Sequence, residues 1–101
     1  MTDVVAKRLR EARLAKGLSQ KKLGIAAGID EFTASPRMNQ YERGKHIPDY
    51  TTLERLAQVL EVPLPYFYAA EDELAEWIKC FPRLGKAQIE NVMNETKNLG
   101  V

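Results

Sequence analysis

The chain has 101 residues, with 15 Lys or Arg against 14 Asp or Glu, one His and one Cys. That length allows one modest core with a short appendage and leaves little room for a catalytic cleft. Cys80 alone excludes an intrachain disulfide, and no metal cluster, phosphate loop or Ser-His-Asp set can be assembled, so no enzyme, metal or cofactor is expected.

The near-neutral total hides an asymmetry. Residues 1–50 carry ten Lys or Arg against six Asp or Glu, whereas residues 51–101 carry five against eight. A basic half of this kind suggests a surface that faces a polyanion. Lys7-Arg8 follow Met1 too closely for a secretory leader, and no apolar run approaches a membrane span. A reducing cytoplasm and no membrane partner are the expectation.

The pattern is helical throughout, so the expected fold class is all-α. Val5, Leu9, Ala12 and Leu14 give a first helix its apolar side, with Lys7, Arg8, Arg10 and Glu11 outside, and Gly17 stops it. Ser19 caps a second helix whose inner face is Leu23, Ala26 and Ala27 and which ends at Gly28. The stretch Asp30-Glu31-Phe32-Thr33-Ala34 follows as a loop. A third helix is expected over about residues 36–43, with Ser35 as N-cap and Pro36 in the first helical position, where a missing N–H is harmless. Met38 and Tyr41 face inward at i and i+3, which leaves Arg37, Asn39, Gln40 and Arg43 on the polar side before Gly44. So short a helix must be held by packing.

Asp49 caps a fourth helix with the stripe Leu53, Leu56, Ala57 and Leu60. Val62-Pro63-Leu64-Pro65-Tyr66-Phe67 then turns into a short fifth helix that closes the core. Beyond Tyr68, Glu71-Asp72-Glu73 opens another helix with Leu74, Trp77, Ile78 and Phe81 at i, i+3, i+4 and i+7. These carboxylates oppose the positive end of the helix dipole rather than form a metal or catalytic cluster. Pro82 and Gly85 interrupt it, and Ile89, Val92 and Met93 mark a last amphipathic helix. The expected division is a domain over residues 1–69 and a C-terminal helical extension over 70–101.

Ser19-Gln20-Lys21-Lys22-Leu23, Ala27-Gly28-Ile29 and Met38-Asn39-Gln40-Tyr41-Glu42-Arg43-Gly44 are, in order, a capped helix, a glycine turn and a short polar helix with a glycine stop. This is the order a DNA-reading helix-turn-helix requires. From Leu9 to about Phe67 the chain resembles the Cro and phage-repressor-like (XRE-type) helix-turn-helix family. The best matches are Lys16-Gly17-Leu18-Ser19-Gln20, Tyr41-Glu42-Arg43-Gly44-Lys45 with Pro48, and Leu53 through Val62. Two departures stand out. Thirteen positions separate Ile29 from Glu42, several more than the resemblance implies; a longer surface loop costs only some tenths of a kcal/mol in chain entropy. Gly24 stands where the family usually has alanine.

The resemblance implies a sequence-specific double-stranded-DNA-binding transcriptional regulator, expected to be a repressor. It puts Ser35, Pro36 and Gln40 where the reading helix touches bases, with Arg37 and Asn39 beside them. Gln40 suits a bidentate contact to adenine and Arg37 one to guanine. Gln20, Arg43 and Lys45 resemble phosphate-facing positions, Lys21 and Lys22 less closely, and Gln20 needs no charge if helix N–H groups make the contact. Arg13 and Glu42 match an internal ion pair. His46 stands alone and is expected to be a surface loop residue. An alternative class with the same fold is a protein-interaction module or antitoxin-like accessory protein, distinguished by salt-independent partner binding without DNA affinity. A homodimer is expected, because the core is complete by about Phe67 and the later apolar residues still need cover. No small-molecule effector is identifiable from the sequence.

Overall fold

The computed structural model describes residues 3–100. It contains six α-helices, α1 (Asp3–Lys16), α2 (Gln20–Ala26), α3 (Ala34–Glu42), α4 (Tyr50–Leu60), α5 (Asp72–Cys80) and α6 (Lys86–Asn98), and no strand among the described residues. None of these helices is long and apolar enough to cross a membrane. The expected fifth helix of the core is a 3-10 turn, Leu64–Tyr68, and a second one, Phe81–Arg83, joins α5 to α6.

In α1, Val5, Leu9 and Ala12 are buried as expected. Leu14 is exposed instead. At about 100° per residue it lies roughly 200° beyond Ala12 and so on the far side of the helix. The inner arc takes Arg8 and Arg13 as well. Ser19 caps α2 by accepting the Lys22 N–H at 3.0 Å. Within α2, Leu23 and Gly24 are buried, whereas Ala26 is exposed and Ala27, just past the helix, is buried.

Helix α3 begins two residues earlier than Pro36, and Ser35 is not its cap. Asp30 sets the start: its carboxylate accepts the Phe32 N–H at 3.0 Å, while its carbonyl accepts the Thr33 N–H and hydroxyl. This closed turn makes Thr33 the N-cap residue, without a side-chain capping bond. Pro36 still falls in the first turn, where its missing N–H leaves no intrahelical bond unmade. The earlier start has a packing consequence. A Cβ on Gly24 would meet the Ala34 Cβ at 2.9 Å and the Met38 Cγ at 3.1 Å. The crossing of α2 and α3 therefore has no room for the alanine that the resemblance leads one to expect.

Gly44, at φ +74°, ends α3; its N–H donates to the Tyr41 carbonyl while the Lys45 N–H reaches back to the Gln40 carbonyl. Glycine adopts this left-handed conformation without steric cost. Asp49 caps α4 by accepting the Thr52 N–H at 2.8 Å. Leu53, Leu56, Ala57 and Leu60 then pack under α1, with Phe67 fully buried and Tyr66 edge-on to it.

The C-terminal segment is different. Helix α5 buries Ala75 and partly buries Ile78, yet Leu74, Trp77 and Phe81 remain exposed. Gly85 precedes α6, its N–H donating to Gln88 Oε1 at 2.7 Å. Helix α6 has no buried residue and packs extensively on no other helix. The chain is accordingly 52 Å long against 27 and 22 Å across.

The seam between bundle and α5 is made by Arg8, a residue expected on the surface. Its Nε donates to the Ala69 carbonyl at 2.8 Å, and its terminal nitrogens reach the Ala70 carbonyl, Glu11 and Asp72 at 2.9–3.1 Å. Burial works against the charge of Arg8, but its bonds to Asp72 and Glu11 outweigh that and its pKa is raised. Hydrogen bonds from Arg8 and Lys7 hold the Asp72 carboxyl below its usual range. Position 8 lies three residues after Val5, inside the apolar stripe, which was the available signal that this arginine turns inward.

Candidate nucleic-acid interface

Helix α3 presents two faces of opposite chemistry. Ala34, Met38 and Tyr41 are buried against α1 and α2, while Ser35, Pro36, Arg37, Asn39 and Arg43 are exposed and Gln40 is half-buried. The inward anchors fix the rotation of the helix, so the outward residues lie on a surface whose orientation the core determines. The expected base-reading set thus shares one solvent-facing side.

A polar relay locks this helix to its neighbours. Arg13 donates to Glu42 through Nε at 2.5 Å and through a terminal nitrogen at 2.9 Å, and its other nitrogen donates to the Leu18 carbonyl at 2.9 Å. The fork matches the carboxylate geometry, and the hydrogen bond to Glu42 raises the Arg13 pKa. The Arg13–Glu42 pair expected from the resemblance is therefore formed, and it is shielded. Gln20 extends it: its Nε2 donates to Glu42 Oε1 at 3.2 Å and approaches Asn39 Oδ1 at 3.4 Å. Gln20, expected on a phosphate, thus has its side chain engaged within the protein, tying the start of α2 to the outward face of α3.

Lys21, Lys22, Arg43 and Lys45 are exposed. Beyond Gly44 the loop folds back to enclose a polar cleft of about 370 Å³ lined by Arg37, Gln40, Tyr41, His46, Ile47 and Asp49. His46, expected to be an isolated loop residue, shares this cleft with two of the expected base-reading residues. The pattern that could have revealed it is the three-residue return from Gly44 to Ile47. On the cleft's other wall, the Thr52 N–H holds the Asp49 carboxyl below its usual range.

This geometry agrees with what the chain is similar to. The helix-turn-helix domain family matches residues 5–65. The crystal structure of the transcriptional regulator BswR is 46% identical in sequence, superposes with a TM-score of 0.83, and covers 92% of either chain. Uncharacterized HTH-type transcriptional regulators of Sinorhizobium medicae and Rhizobium meliloti are each 33% identical over 64 residues. That stretch is 63% of this chain and 43% of each relative, so the match spans less than half of their length. A family match over more than half of the chain, with the helix order and the outward α3 face found above, has one consequence: the chain belongs to the helix-turn-helix domain family.

Proposed function

We propose that the protein is a sequence-specific double-stranded-DNA-binding transcriptional regulator that acts as a repressor, with α3 lying in the major groove. The observation that supports this is the outward face of α3, polar and uncovered while its opposite side is fixed in the core. Ser35, Pro36, Arg37, Asn39 and Gln40 supply the base contacts, and Lys21, Arg43 and Lys45 face phosphates. Gln20 acts by holding Asn39 and Glu42. The basic half of the chain provides the attraction that the near-neutral total conceals.

The regulator works as a homodimer joined through α5 and α6. Leu74, Trp77, Phe81, Val92 and Met93 are exposed, Trp77 by 59%. A shallow, mainly apolar hollow of about 440 Å³ lies beside Trp77 and Cys80. Two amphipathic helices with uncovered apolar residues are the surface on which a second copy would find cover. A two-fold pair sets two reading helices about 34–36 Å apart on an inverted repeat.

Selection of bound duplexes from a random pool at defined salt tests the function. The expected result is an inverted repeat whose log affinity falls linearly with log salt, by about 0.9 per neutralised phosphate. Gln40→Ala should cost about 1–3 kcal/mol at one base position. No bound duplex, or a flat salt dependence, overturns the proposal. Placing the recovered site across a promoter should lower transcription, and a rise excludes repression. Sedimentation over a concentration series, with and without residues 82–101, tests the dimer: a monomer throughout, free and on DNA, defeats it.

A further inference from the structure

Phe32 is the most exposed large hydrophobic side chain among the described residues, at 86%. It belongs to the stretch that lengthens the turn before α3, and it is held rather than loose. Its own N–H is bound to the Asp30 carboxylate, and the next N–H to the Asp30 carbonyl. An aromatic ring left exposed on an ordered turn has apolar area that contact with another surface would bury.

The position of the turn selects the partner. Helix-turn-helix proteins contact base edges with the N-terminal residues of the motif's second helix, which is α3 in this chain, and Phe32 precedes its start by two residues. Ser35 is three residues away, which bounds the separation of the two Cα atoms at about 11 Å. Successive bases are about 3.4 Å apart along a strand, so Phe32 stands within about three base steps of whatever Ser35 meets. Asp30 and Glu31 precede the ring in the chain, and a phenyl side chain has neither charge nor donor for a phosphate. The remaining apolar feature in the groove is the 5-methyl group of thymine.

We propose that Phe32 is a specificity-determining residue that packs on a thymine methyl at the edge of the half-site, next to the bases met by α3. The proposal rests on the DNA-binding function above and adds to it a base-reading element outside the helix. It predicts that the lengthened turn extends the recognised sequence rather than merely spacing α2 from α3.

The test compares the full chain with Phe32→Ala on the duplex recovered by selection, each thymine being replaced in turn by deoxyuridine, which lacks only the methyl. One uracil should weaken the wild-type protein about fourfold, the fold-change for burying one methyl-sized group. Phe32→Ala should bind the thymine duplex at least that much more weakly, and should not distinguish thymine from uracil there. Its stability and sedimentation should match the wild type, since the residue is 86% exposed. Equal affinity of both proteins for the thymine duplex overturns the proposal, as does a weakened variant with an unchanged response to every uracil. Altered self-association of Phe32→Ala overturns it in favour of a protein contact. If the wild type binds no duplex, the DNA-binding function itself fails, an outcome distinct from these.

Discussion

Residues 3–69 and 70–100 are built from the same kind of amphipathic helix but meet different fates. In the first region every helix turns its stripe to a shared interior, so Leu9, Leu23, Met38, Leu53, Leu56 and Phe67 are fully buried. In the second, α5 attaches by Ala75, part of Ile78 and the polar clip of Arg8, and α6 buries nothing. Periodicity thus says that a helix has a side to cover, not what covers it. The bundle finds its cover within the chain; the extension leaves its apolar residues exposed, the surface on which the proposed dimer rests.

Two substitutions should break the bundle side of that contrast, and the larger is Arg13→Ala. It strands the Glu42 carboxylate, whose side chain is only 2% exposed, and breaking one half of such a pair costs about 3–5 kcal/mol. Urea unfolding should show this loss, while the base preference of the protein that remains folded stays unchanged. A fully stable Arg13→Ala protein with altered preference would make Arg13 a DNA contact instead. The paired change Arg13→Met with Glu42→Leu should recover much of the stability, since no buried charge is left over.

Arg8→Met is expected to be the next in size, at about 2–3 kcal/mol for lost charge-assisted bonds to Ala69, Ala70 and Asp72. Its effect should be local. Amide exchange should quicken in α5 and spare α2 and α3; uniform loss of protection would mean that the two regions form one cooperative unit.

Gly24→Ala should cost about 1–3 kcal/mol despite the better helix propensity of alanine, because the added methyl collides with Ala34. A companion Ala34→Gly change should restore part of the loss by clearing that contact. If Gly24→Ala is neutral or stabilising by thermal unfolding, the α2–α3 crossing is looser than described.

These sites also mark where sequence reasoning reaches and stops. The α4 stripe and the caps Ser19 and Asp49 are legible because periodicity and short polar side chains act locally. Met38 and Tyr41 at i and i+3 orient α3, and so its outward face, without tertiary information. The start of α3 is misjudged because Ser-Pro is a good helix opening, yet Asp30, four residues upstream of Ala34, closes a turn that forces an earlier start. Arg8 is misjudged because its charge argues for solvent while its register argues for the interior, and the carbonyls that decide the matter lie about sixty residues away. The tightness at Gly24 depends on that earlier start too. As for Phe32, only the fold shows how little of the chain covers it.

The smallest expected effect sharpens the comparison through pH. Asp49, in the bundle, is held below its usual range by the Thr52 N–H, and Asp72, at the seam, by Arg8 and Lys7. A carboxyl with a lowered native pKa binds fewer protons folded than unfolded, so its stabilisation is present above the unfolded value of about 3.9 and fades as pH falls through the native value. Both regions should therefore weaken in acid below about pH 4. Asp72 is exposed, so its share is small and screened by salt. Amide exchange at pH 3, 4 and 5, corrected for intrinsic rates, separates the two. Asp72→Asn should make α5 protection flatter with pH and leave the acid response of α4 intact, whereas Asp49→Asn should do the reverse. If Asp72→Asn leaves the α5 profile unchanged, the seam rests on the Arg8 bonds to the carbonyls of Ala69 and Ala70, and the carboxylate contributes nothing to holding the extension.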